Sequence, residues 1–166
     1  MNLTEKLNYR HSVKEFVNLT KFYEPFSVTL TLKQSVLVTE GVFPVHIRID
    51  REKAIQNFRH FMNLLNTEVF GNSFVRHGKR IQVIPFLEGG LNGTRLHYHC
   101  VIDCPRRSLD MTFPSLIQKC WSKTSYGYNQ IDIQRNTDHG WIDYISKFRG
   151  KYSYDECVDW ENFHQD

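Results

Sequence analysis

Strict alternation in Phe26-Ser27-Val28-Thr29-Leu30-Thr31-Leu32-Lys33 puts Phe26, Val28, Leu30 and Leu32 on one side of an extended chain. Ser27, Thr29, Thr31 and Lys33 fall on the other side. A strand of this kind belongs in an antiparallel sheet that presses one face on a core and turns the other away. The pattern returns in Asn129-Gln130-Ile131-Asp132-Ile133-Gln134-Arg135, and two further runs, Arg80 to Glu88 and Leu96 to Asp103, are extended segments joined by a glycine-bearing loop. Pro85 predicts that the first of these two lies at an edge or a bulge.

Helical spacing fills the intervals. Leu3, Leu7, Val13, Phe16, Val17 and Leu19 mark residues 1–25 as a helical or irregular lead-in that Pro25 ends. Asp50 caps a helix carrying Ile55, Phe58, Phe61, Met62, Leu64 and Leu65 at helical intervals, after a short extended run from Pro44 to Ile49, and Gly71 lies beyond its end. Thr112 is the expected cap of a second helix with Leu116, Ile117, Cys120 and Trp121 on one side. Residues 138–147 form a third helix candidate, its stripe being Trp141, Ile142, Ile145 and Phe148. Strand, helix, two strands, helix, strand, helix reads as an α+β domain over 26–150, an antiparallel sheet of about five strands with helices mainly on one face. Thr29, Thr31, His97, His99, Gln130, Asp132 and Gln134 then share its open face.

A chain of 166 residues supports one such domain. No stretch approaches 18 consecutive apolar residues and the first residues lack a charged segment followed by an apolar one, so an intracellular protein without a membrane partner is expected. Cys100, Cys104, Cys120 and Cys157 form no C-x2-C pair and read as reduced thiols; a zinc site from Cys100, Cys104 and the histidines matches no closed four-ligand spacing. Residues 151–166 form an acidic tail in which Tyr152 to Asp166 hold five carboxylates and no Lys or Arg, and setting those fifteen residues aside leaves 21 basic against 13 acidic residues, +8, in the body of the chain. That excess suits a polyanionic partner.

The candidate chemistry starts at His97-Tyr98-His99. On a strand both imidazoles project to one side and Tyr98 to the other, the geometry of a two-histidine metal clamp, although paired strand histidines are also found simply hydrogen-bonded at a surface. If the hairpin pairs symmetrically about its loop, Glu88 faces His97 and Phe86 faces His99. Two imidazoles and a carboxylate then suit a divalent cation with open positions. Taken alone, Glu88 before Gly89-Gly90 also reads as a solvated turn residue. Tyr144 and Lys147, three apart, share a helix face. A phenol with pKa about 10 needs a polarised phosphate or a nearby cation to act as a nucleophile, and Lys147 can supply the cation. The plainer alternative is a half-buried tyrosine beside an Asp143–Lys147 ion pair.

In order and spacing these pieces resemble the HUH endonucleases, specifically the single-tyrosine replication initiators of rolling-circle plasmids and of small single-stranded DNA viruses and phages. The resemblance runs from about Phe26 to Gly150. Phe26 to Thr31 looks like the family's first motif strand, Glu88 and Leu96 to Ile102 like its acidic ligand and histidine motif, and Tyr144-Ile145-Ser146-Lys147 like its nucleophile motif. It implies a ferredoxin-like or RRM-like nuclease domain in which Glu88, His97 and His99 hold Mg2+ or Mn2+. It also implies attack by Tyr144 on single-stranded DNA at an origin or hairpin, leaving a 5′-phosphotyrosine and a free 3′-hydroxyl. Lys147 would meet the phosphate, and Thr29, Thr31, Arg76, Lys79 and Arg80 would contact DNA, although the basic run reads equally as a solvated loop. No G-x-x-x-x-G-K-[ST] loop occurs in these residues, so unwinding is expected to come from a separate helicase as a partner or from a missing C-terminal part. Phe148 stands one turn after Tyr144, which speaks against a two-tyrosine mechanism on this helix, while Tyr152 and Tyr154, after Gly150-Lys151, stay open as candidates for auxiliary groups. Two other readings compete: a noncatalytic single-strand-binding module of RRM-like topology, and a transposase or relaxase with the same chemistry.

Overall fold

The computed structural model describes residues 3–16, 19–39, 41–90, 94–135, 140–141 and 157–165. Helix α1 (Leu3–Phe16) and a 3-10 turn (Leu19–Lys21) lead into β1 (Pro25–Leu32), followed by β2 (Ser35–Val38), β3 (Val45–Arg48), α2 (Arg51–Phe70) and α3 (Asn72–His77). Then come β4 (Val83–Glu88), β5 (His97–Asp103), α4 (Phe113–Ser122) and β6 (Gly127–Gln134). Strands β4-β5-β1-β6, in that spatial order, make one antiparallel sheet. With α2 and α4 as the crossovers, the order βαββαβ is compatible with a ferredoxin-like fold. The run from Pro44 to Ile49 does not join this sheet, because β3 pairs with β2 in a separate hairpin.

The alternation of β1 is realised as read: Phe26, Val28, Leu30 and Leu32 are fully buried under α2 and α4. From β5, Tyr98, Cys100 and Ile102 point into the same core. Phe58 of α2 stacks on Tyr98 with ring centroids 4.3 Å apart, and Phe61 meets Trp121 of α4 edge-on at 5.4 Å. Local signals set α2: the Asp50 carboxylate accepts from the Lys53 amide (2.8 Å), and Gly71 closes the other end with its N–H on the Thr67 carbonyl. Thr112 stands at the N-cap of α4, where its carbonyl accepts from the Leu116 amide, but its side chain makes no capping bond. Its hydroxyl donates to the Leu109 carbonyl (3.2 Å), and Pro114 in the first turn supplies a preset φ.

The opposite face is half closed. Ile84, Phe86 and Val101 gather Leu19, Phe22, Cys157 and Val158 into a second apolar cluster. β4 explains this, since Val83-Ile84-Pro85-Phe86-Leu87 is apolar on both sides and buried throughout, as a strand covered on both faces must be. Pro85 sits on the edge strand of the sheet, as its missing N–H requires. Residues 157–165 run along that edge: Leu87 N–H donates to Cys157 O (2.8 Å), Asp159 N–H to Pro85 O (3.0 Å), and Val83 and His164 exchange both backbone bonds. The acidic tail is thus partly structural. Asp159, 1% exposed, accepts from the Tyr98 hydroxyl (2.9 Å) and from Asn162, and Glu161 pairs with Arg59.

Candidate metal centre

Hairpin symmetry places the third ligand. Glu88 pairs with His97 and Phe86 with His99, the register that symmetry about the loop requires. One ligand atom from each of Glu88, His97 and His99 lies within 4.8 Å of the others, and all three side chains are half-buried. These residues can hold a metal ion. The two imidazole rings stand nearly perpendicular, centroids 4.8 Å apart.

Each histidine is oriented by a neighbour. His97 Nδ1 lies 2.8 Å from the Arg95 carbonyl, which only accepts, so Nδ1 carries the proton and Nε2 the lone pair. His99 Nδ1 lies 3.0 Å from the Thr29 hydroxyl, its register partner on β1. Such contacts fix the ring and set which nitrogen is offered to a metal. Gly89 in turn bounds the Arg95 carbonyl: its φ is +92°, and a Cβ there would fall 2.1 Å from that oxygen. Any side chain at 89 therefore displaces the group that orients His97.

Donor chemistry narrows what fits. Two nitrogens and one carboxylate suit a divalent cation that keeps further positions for oxygen ligands. The thiols take no part. Cys100 alternates with the histidines onto the core face, where its Sγ meets the Val28 carbonyl (3.5 Å), and burial pushes its thiol up. Cys104, also buried, is pushed up to about 11, chiefly by desolvation. A low-pKa zinc thiolate is the reverse of these surroundings.

Around the triad the sequence-derived residues separate. Thr29 is engaged by His99 and Thr31, the register partner of His97, is 9% exposed, so both stand beside the clamp in β1. Arg76, Lys79 and Arg80 are exposed but precede the Val83 end of β4, whereas Glu88 closes its other end, about 17 Å away at ~3.3 Å per residue. They do not join the triad. Of the third expected helix, Gly140 and Trp141 are described and helical; Tyr144 and Lys147 lie outside the described residues, as do Tyr152 and Tyr154. Trp141 sets its ring edge-on to His99 with centroids 5.7 Å apart. Among the described residues, no helix is long and apolar enough to cross a membrane.

Sequence reasoning missed the orienting roles of Arg95, Gly89 and Thr29. A signal existed for Thr29, because it sits on the polar side of β1 in the strand that must neighbour the histidines. None existed for the Arg95 carbonyl, since a main-chain group leaves no trace in residue type. No family model, no curated protein and no solved structure matches this chain.

Proposed function

We propose that the protein is a metal-dependent nuclease of the HUH type, nicking and rejoining single-stranded DNA through Tyr144 to start rolling-circle replication. The observation that carries the reading is the Glu88, His97 and His99 cluster formed by hairpin register, with Trp141 packed on His99. Trp141 stands three residues before Tyr144 in the chain, and three residues of chain reach no further than about 11 Å. The spare basic charge of the body supports a polyanionic substrate.

When bound, Mg2+ or Mn2+ would neutralise charge on the scissile phosphate and polarise its P–O bonds. His97 and His99 supply neutral nitrogen donors, held by the Arg95 carbonyl and Thr29, and Glu88 supplies negative charge. Tyr144 Oη forms a bond to phosphorus in line with the departing O3′. The P–O3′ bond breaks, the phenolic proton is lost to solvent, and the 3′-oxygen leaves as a hydroxyl after taking up a proton. Lys147 offsets charge on the transferring phosphoryl group. The phosphodiester energy stays in the tyrosyl link, so a 3′-hydroxyl attacking that link reverses the step and joins two ends.

The test is a pool of randomised single-stranded oligonucleotides incubated with the protein and Mn2+, read as covalent adducts on a denaturing gel. An adduct lost in Tyr144→Phe and in His97→Ala is the expected result. Tight binding without an adduct from any member of the pool would leave the noncatalytic single-strand-binding module as the better account. A transposase or relaxase shares the adduct and differs in which ends it joins.

A further inference from the structure

Beside His97 the sheet departs from regular pairing. Leu30 pairs with Ile131 and Leu32 with Gly127, so Tyr128, Asn129 and Gln130 of β6 stand opposite Thr31 alone, and Thr31 is the partner of His97 on its other side. A bulge of this kind twists a strand locally and re-aims its side chains. Here it accompanies a specific contact: the Arg95 guanidinium lies over the Tyr128 ring, 4.8 Å from its centroid. Arg95 is exposed, Tyr128 is half-buried, and the Arg95 carbonyl is the group that orients His97. An aromatic ring with a guanidinium over it therefore adjoins the metal ligands, joined to them by two residues of chain on one side and by Thr31 on the other.

We propose that Arg95 and Tyr128 form a stacking platform for a base of single-stranded DNA next to the phosphate held at the metal centre. The substrate class rests on the nicking reading; the platform itself rests on the bulge and the Arg95–Tyr128 contact. A guanidinium over a phenol ring offers a base a π surface and offers the adjoining phosphate a positive charge, the two elements that sequence-tolerant single-strand binding uses. Lys33, which follows β1 at this end with its Nζ 3.4 Å from the Ser125 carbonyl, adds a second cation. The acid on this stretch, Asp132, lies further along β6 opposite Thr29, where Gln134 donates to it, and it directs the phosphate backbone toward the Arg95 end.

The experiment measures binding of oligothymidylate and of an abasic strand of equal length by Tyr128→Ala, Tyr128→Phe and Arg95→Gln, with Mn2+ affinity of each variant measured in parallel. Stacking is worth enough per base that Tyr128→Ala should bind oligothymidylate about tenfold more weakly. Tyr128→Phe should bind like the parent and Arg95→Gln should fall between; on the abasic strand the Tyr128 variants should match the parent while Arg95→Gln, which loses a charge that meets phosphate, still binds more weakly, and Mn2+ affinity should stay unchanged in the Tyr128 variants. Parent-like binding by Tyr128→Ala, an equal loss by that variant on the abasic strand, a parallel loss of its Mn2+ affinity, or no binding of oligothymidylate by the parent would each overturn the platform. Failure of the nicking reading looks different. In that case the tenfold stacking effect persists while no pool member gives a Tyr144 adduct.

Discussion

The two faces of β5 carry neighbouring residues into opposite physical worlds. Tyr98 and Cys100 enter a sealed core, where burial pushes both side chains well above their ordinary pKa values and Phe58 stacks on the tyrosine ring. His97 and His99, one residue away on either side of Tyr98, stay half-buried, with one nitrogen of each anchored in the protein. Burial on one face makes the strand a rigid support, and a support of that kind is what a ligand constellation needs on the other. The clamp is held by packing it does not itself contribute to. If so, damage to the core face should cost stability, and damage to the histidine face should cost metal affinity.

Phe58→Ala should break the supporting side most severely. It removes a fully buried ring from between α2 and Tyr98, a truncation that typically costs ~3–5 kcal/mol, and urea unfolding should show that loss. A loss under ~1 kcal/mol would mean that the two faces are not divided as described. Thr29→Val tests the other side at nearly constant shape. Without its hydroxyl partner His99 is less well oriented, and Mn2+ affinity measured by calorimetry should fall about 10- to 100-fold. Unfolding free energy should change by less than ~1 kcal/mol, because the lost hydrogen bond is only part-buried.

The smallest effect concerns Asp159, which reaches the core face from the tail. Burial raises its carboxyl pKa, against the lowering influence of hydrogen bonds from Asn162 and Tyr98. A raised folded pKa means that the native state binds the proton more readily than the unfolded chain. Its contribution to stability is therefore present below the ordinary aspartate range and is lost as pH rises through the folded pKa. Asp103, also raised chiefly by burial, adds to the same slope. Unfolding measured across that window should show stability declining with pH more steeply in the parent than in Asp159→Asn. Equal slopes would remove Asp159 from the account, while Mn2+ affinity should be indifferent to the change.

Much of the site was legible because hairpins and strands obey local rules. His97 and His99 share a face through a period of two, and symmetry about one loop carries Glu88 to His97. The cap at Asp50 was equally local. The expected open face was not legible in the same way. Ile84, Phe86 and Val101 lie on the side of the histidines, and only the arrival of Leu19, Phe22 and Val158 from distant parts of the chain closes that half of it. The apolar character of β4 on both sides was the available hint.

Residue order alone thus determined which side chains share a strand face, where α2 begins, and that two imidazoles and a carboxylate can meet, since each depends on spacing within a short stretch of backbone. Only the tertiary structure decided that the Arg95 carbonyl and Thr29 orient those imidazoles, that a bulge brings Tyr128 under Arg95, and that the segment from Cys157 to Gln165 seals the β4 edge. Those contacts join residues up to some eighty positions apart or use main-chain atoms common to every residue. Their energies arise when packing brings the partners together, and no local pattern records that.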